Sequence, residues 1–248
     1  MEHERQPKLR TVDKTQPLYK LNQFPKKFAY ALGRELIYLL ATRGETVRLE
    51  GSDWEEIFAR CIGAVWKPSN IGLDDITYRG MAWGAKTVKN KKPFTAKTVR
   101  LISGRNSTIY SFGDSGVTSQ DPNPLGAKVL SIWNERVASI REKFPVLRTV
   151  ILLKADDLTE VSVFETDTVR YSEEDYHWQW NDNDNLEGLS KETNNHVFTW
   201  QPHGSQFTII ETIPGDRLKL RIRKPPAIGR EQTLKALEVD DSWIEIVS

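Results

Sequence analysis

Residues 73–89, LDDITYRGMAWGAKTVK, contain an acid and a lysine that a single hairpin would bring together. Two extended runs flank Arg79-Gly80, a dipeptide suited to a tight corner, and side chains alternate faces along each run. Leu73, Asp75 and Thr77 then share one face, Asp74, Ile76 and Tyr78 share the other, and Ala82, Gly84, Lys86 and Val88 lie together on the returning strand. Asp75 and Lys86 can therefore meet. A carboxylate beside an amine suits metal-assisted hydrolysis of a phosphodiester, in which a cation stabilises the charge that develops on the phosphate oxygens and makes a nucleophile of water. Magnesium fits that role, because it binds through one or two carboxylates and keeps several waters. The simpler reading is an exposed hairpin with Asp75 capping a turn and Lys86 in solvent.

Ser52 followed by Glu55 has the form of a capping box. Phosphate contacts are expected from ISGRNS, where small residues let backbone amides approach an anion and Arg105 can clamp a backbone or pair with guanine. Arg105, Asn106 and Ser107 are assigned to DNA from this stretch, together with Lys89 and Arg100. In HVFTWQPHGSQFTI, Gln201, His203, Ser205 and Gln206 concentrate hydrogen-bonding groups beside an aromatic and are assigned to base recognition. His196 and His203 could also ligate a metal, but no second ligand set accompanies them. Trp178 and Trp180 sit in a polar stretch open to base stacking or a dimer contact, core packing being the simpler reading.

Several elements must position these groups. Phe28, Leu32, Leu36, Leu39 and Leu40 recur at helical spacing up to Gly44, and Trp54, Ile57, Phe58, Cys61 and Val65 form a second apolar stripe after the Ser52 cap. Extended segments follow at Gly72 to Tyr78, Met81 to Lys89 and Thr98 to Ile102, the last continuing through Ser107 to Phe112. Asn123 as cap and Pro124 at the first helical position open a long helix through Phe144. Thr149 to Leu153 reads as a buried strand with Glu160 to Glu165 as its partner, and His196 to Ile213 and Arg217 to Arg223 are extended. The expected class is α/β, a mixed sheet flanked by helices. Residues 1–248 form one domain, with an N-terminal arm at 1–25, a core at 28–170 and a β-rich region at 171–248.

The bulk composition agrees with this. Lys and Arg number 35 against 34 Asp and Glu, but the charges segregate: Lys86, Lys89, Lys91, Lys92, Lys97, Arg100 and Arg105 follow one another with no acid between them. Cys61 is the single cysteine, which excludes an internal disulfide and a multi-cysteine zinc site. No apolar run approaches a membrane span and the start lacks a signal-peptide pattern, so no membrane association and a cytoplasmic location are expected.

With Asp75-Ile76 followed by Lys86, over residues 50 to 165, the chain resembles the PD-(D/E)xK nuclease superfamily and, within it, the type II restriction endonucleases. The resemblance implies a core of order αβββαβ, Mg2+ held by Asp75 with a second acid from the preceding helix, Glu55 in WEEIFAR with Glu56 as its alternative and Asp74 as a helper, Lys86 as the motif lysine, cleavage of sequence-specific double-stranded DNA, and a homodimer. Gly84 stands where the family's motif has its glutamate. The alternative function is a non-catalytic nucleic-acid-binding protein with a degenerate site, and a structural or protein-interaction domain is a third reading.

Overall fold

The computed structural model describes residues 16–43, 47–67 and 72–247. Residues 1–15 of the expected arm, and Gly44 as a helix stop, lie outside the described residues. Two helices open the fold, α1 (Lys26–Arg43) and α2 (Gly51–Ile62), followed by β1 (Val65–Trp66), β2 (Ile76–Tyr78) and β3 (Met81–Lys89). Next come β4 (Thr98–Arg105), the one-turn helix α3 (Thr108–Phe112) and the long helix α4 (Pro122–Lys143). The remainder is β5 (Val146–Lys154), β6 (Glu160–Asp167), β7 (Tyr176–Trp180), β8 (Leu186–Ser190), β9 (His196–Gln201), β10 (Gln206–Thr212), β11 (Leu218–Arg221) and α5 (Arg230–Ala236).

These strands build two sheets. The first has the order β1-β2-β3-β5-β6-β11, mixed because β5 lies parallel to β3 after the α4 crossover. The second, β4-β10-β9-β8-β7, is antiparallel throughout. Strand β5, VLRTVILLK, is covered on both faces, which explains the apolar run from Val150 to Leu153. On one side Val150 and Leu152 pack with Phe28, Leu32, Leu36, Trp54, Ile57 and Phe58 of α1 and α2. On the other, Leu147 and Ala82 meet Leu125, Val129, Trp133 and Val137 of α4, and the same cluster continues into Phe198, Trp200, Phe207 and Ile209 of the second sheet. Helices α1 and α2 therefore cover one face of the first sheet, and α4 and the second sheet share the other, where Val99 and Leu101 meet Ile151 and Leu153 directly. Each fully buried Leu or Phe contributes about 1.5–3 kcal/mol of transfer free energy.

Several expectations change. Thr98–Ile102 is not a third strand of the hairpin sheet: it pairs with β10 in the second sheet, and the third strand of the first sheet is the short β1. The segment expected to extend that strand instead forms α3, because Ser107 caps it, accepting from the Tyr110 amide at 3.2 Å. The cap of α2 is Glu50 rather than Ser52, its amide bonded to Asp53 Oδ2 at 2.9 Å. The cap of α4 is Asp121, with Pro122 at the first turn, rather than Asn123. Trp178 is buried and stacks on Phe198 at 5.7 Å. Both sheets cross the expected boundary at 170–171, since β4 joins β10 and β11 joins β6.

The described part of the N-terminal segment is docked rather than loose. Glu165 Oε1 accepts from Tyr19 Oη and from Trp83 Nε1, both at 2.8 Å, while Oε2 accepts from Arg148 Nη1 at 2.9 Å. Asn22 bonds the Glu165 amide and carbonyl, and Arg148 bonds the Tyr19 carbonyl. A buried ion pair is tolerated when its remaining groups are hydrogen-bonded in this way. Among the described residues no helix is long and apolar enough to cross a membrane.

Candidate functional site

The hairpin register decides which side chains meet. Ile76 pairs with Trp83, Thr77 with Ala82 and Tyr78 with Met81, across a corner at which Arg79 and Gly80 take positive φ values of 43° and 79°. The ladder ends at the Ile76–Trp83 pair, and the chain that leads to Asp75 passes over Gly84 at Gly72 and Leu73. Ile76, Trp83 and Ala85 face α1 and α2, whereas Leu73 and Ala82 face α4. By alternation from Ala82, Gly84 and Lys86 lie on the α4 face of β3, and Asp75 stands one residue before β2.

Their electrostatics agree. Burial pushes the Lys86 amine below the ordinary lysine range; Asp75 opposes that shift, Arg136 adds to it and Glu55 opposes it. Burial raises the Glu55 carboxyl, the Trp66 indole beside it lowers it, and Asp75 and Lys86 act on it in opposite directions. Asp75, Glu55 and Arg136 thus all act on Lys86. Asp75 is 6% exposed, and its carbonyl accepts from the Lys67 amide at 2.8 Å. With Glu50 and Asp53 capping α2, Glu55 is released from the capping box and Oε2 accepts from Trp66 Nε1 at 3.1 Å.

The absent motif glutamate has a steric reason. A Cβ at Gly84 would lie 3.0 Å from the Gly72 carbonyl oxygen and 3.3 Å from Leu73 Cα, so the strand is crossed there by the chain leading to Asp75. Among the described residues no group of three or more His, Cys, Asp or Glu is placed to hold a metal. Magnesium needs fewer, and one observation fits a cation: Asp74 Oδ1 is buried without a hydrogen-bond partner, next to Asp75.

Lys86 also opens onto a cleft of about 390 Å³, lined by Ile102, Gly104, Arg105, His203, Gly204 and Gln206. Three residues assigned to DNA from sequence, Arg105, His203 and Gln206, therefore share a cleft with Lys86. Arg105 pairs with Gln206 across β4 and β10, and Gln206 with Gln201 across β10 and β9. Arg100 lies further along β4 and donates to Thr199 Oγ1 at 2.7 Å. A larger cavity, about 890 Å³, lies at the opposite end of the second sheet beside Glu174, Lys191 and His196, and contains none of the hairpin residues.

Other assignments move. Asn106 is fully buried: its amide bonds Ser205 O, Nδ2 bonds Val129 O, and its carbonyl accepts from Trp200 Nε1, so it ties β4 to α4 and to the β9–β10 turn and is not available to DNA. Ser107 is occupied as the α3 cap. Ser205 supplies that turn carbonyl with a φ of 53°. Lys89 falls on the opposite face of β3 and pairs with Asp156 at 3.2 Å. His196 Nε2 lies 2.7 Å from the Phe198 carbonyl, which gives it a structural partner.

Sequence reasoning missed Arg136 and Glu211. Arg136 follows Trp133 by one helical turn, its guanidinium 5.8 Å from that ring, and burial lowers its proton affinity. Glu211 lines a small internal space with Lys86, Thr149 and Tyr171, and burial raises its carboxyl to about 7.

Comparison with protein-family models, curated proteins and solved structures returned no match. The functional reading therefore rests on the geometry.

Proposed function

We propose that this chain is a magnesium-dependent endonuclease of double-stranded DNA, related in plan to the PD-(D/E)xK type II restriction enzymes. The observation that carries the proposal is the meeting of Asp75, next to the β2–β3 hairpin, with Lys86 on β3, each acting on the other's surroundings and on Glu55. The order α2, β1, β2, β3, α4, β5 supports it, because these elements reproduce an αβββαβ core around one mixed sheet, with β4 and α3 inserted before α4.

Asp75, with Glu55 or Asp74 as the second carboxylate, would hold the ion, which when bound supplies a Lewis acid for the phosphate oxygens. The chain's own groups do the rest. The part-desolvated Lys86 amine hydrogen-bonds the attacking water or a phosphate oxygen. Arg105 faces the phosphate backbone along the cleft rim, and Gln206, Gln201 and His203 offer hydrogen bonds to base edges. A homodimer would cut both strands of a twofold site. The non-catalytic alternative is favoured by one observation, the displacement of the motif glutamate at Gly84. Plasmid incubated with and without Mg2+ separates the two: the nuclease reading expects metal-dependent cuts, and salt-sensitive binding without any nicking would support the alternative.

A further inference from the structure

We propose that the cleft at the carboxyl ends of β3 and β5, on the face of the sheet opposite Lys86, binds a small phosphomonoester whose phosphate group sits over Lys154. The inference does not rest on the nuclease reading.

The parallel ladder sets two lysines side by side. Lys89 and Lys154 end β3 and β5 and are partners in register. Val150 and Leu152 face α1 and α2, so by alternation Lys154 faces them as well. The crevice beyond the carboxyl ends of such strands is where open α/β sheets receive ligands. Here it is a cleft of about 410 Å³ in which Arg48, Thr87, Lys89 and Lys154 share the lining with the carboxylates of Glu50 and Asp156.

Lys154 is the group that lacks a partner. It is 7% exposed, yet among the described residues its amine has neither a hydrogen bond nor an ion pair. Buried lysines are ordinarily paired. Burial and the adjacent Lys89 hold its proton affinity below the lysine range, against the pull of Glu50, Asp156 and Asp53. Those acids are engaged elsewhere or solvated: Asp156 pairs with Lys89 at 3.2 Å, Asp53 with Arg43 at 3.0 Å, and Glu50 is exposed. Arg48 adds a guanidinium without an acid partner among the described residues. An anion over Lys154 gives the buried ammonium the counter-charge that the chain does not. A phosphomonoester carries about −1.5 to −2 charges at pH 7, and its three terminal oxygens match the Lys154 amine, the Arg48 fork and the Thr87 hydroxyl. The cleft volume lies within the range of small-molecule pockets, about 300–1,000 Å³, and Val47 and Leu49 offer an apolar wall to the organic part of the ligand.

The test uses the full chain, phenyl phosphate as probe, and acetylation of Lys154 read by peptide mass spectrometry. At ten times its Kd, phenyl phosphate should slow Lys154 acetylation about tenfold, with exposed Lys143 unaffected and potassium chloride of equal ionic strength without effect. Arg48→Gln, at an exposed position, should raise the midpoint of protection about tenfold. A DNA duplex at the same concentration of phosphate groups should leave Lys154 unprotected, because its internal phosphates are diesters. Absent protection, equal protection by chloride, or a midpoint unchanged in Arg48→Gln overturns the site. Protection by the duplex overturns the small-ligand assignment, and protection of Lys86 in place of Lys154 moves the phosphate to the other face and overturns it too. Should Arg48→Gln fail to fold, the wild-type measurements decide alone.

Discussion

Restoring the motif glutamate by Gly84→Glu should damage this protein rather than improve it. Even the first added atom, a Cβ, would stand 3.0 Å from the Gly72 carbonyl oxygen and 3.3 Å from Leu73 Cα, and both obstacles are backbone that cannot rotate away. The crossing chain must retreat by a few tenths of an ångström for alanine and further for glutamate. Overpacking of this size costs about 1–3 kcal/mol, a fall in Tm of about 2–12 °C for a chain of this length. Asp75 is carried by the displaced segment, so its carboxylate moves as well. Because a misplacement of about 1 Å costs on the order of 100-fold in rate, Gly84→Ala should lose about tenfold in single-turnover cleavage and Gly84→Glu more. Differential scanning calorimetry and cleavage of a labelled duplex measure the two effects. A Gly84→Glu variant as stable as the parent, and faster, would refute the crossing as the reason for glycine.

Three further outcomes follow from the same geometry. Glu165→Ala leaves Arg148 buried without its carboxylate, along with the Tyr19 hydroxyl and the Trp83 N–H, and should cost about 3–5 kcal/mol; thermal unfolding unchanged within error would contradict the network. Glu211, raised from 4.5 to about 7, binds its proton more tightly folded than unfolded, so its contribution to stability is present below pH 4.5 and lost as pH rises through 7. Glu211→Gln should therefore gain stability over the parent between pH 5 and 8, and denaturant titrations at several pH values check the sign. Arg105→Ala should lower the slope of log K against log salt for DNA binding by about one, whereas Lys89→Ala, on the far face of β3, should leave it unchanged.

The local half of the candidate site was legible where it depends on one corner: Arg79-Gly80 sets the β2–β3 register, and Lys86 falls on the α4 face of β3 by counting from Ala82, whereas the chain before Ile76 leaves the ladder and passes over Gly84. The long-range half was not legible. Whether Thr98–Arg105 pairs with β3 or with β10 is decided by which apolar face finds the deeper partner, and Val99 and Leu101 meet Ile151, Leu153 and Ile213 between the sheets. Asn106 and Ser107 looked like anion ligands because Asn, Ser and Gly serve turns, caps and phosphate loops alike. Only burial separates these roles. Arg136 gave no local signal, since an arginine on a long helix is ordinarily solvated, and its position depends on a glycine on a distant strand. Glu165 and Arg148 are hidden for the same reason: charged residues in strands of apolar character are read as exposed until their partners are known.

The most direct measurement is cleavage by Lys86→Ala beside the parent chain, on one duplex, with and without Mg2+, with DNA affinity recorded in parallel. The hairpin site predicts that the parent cuts only with the metal and that Lys86→Ala binds DNA within about threefold of the parent while its cleavage is lost. Metal-dependent cleavage retained by Lys86→Ala would contradict the site at its centre.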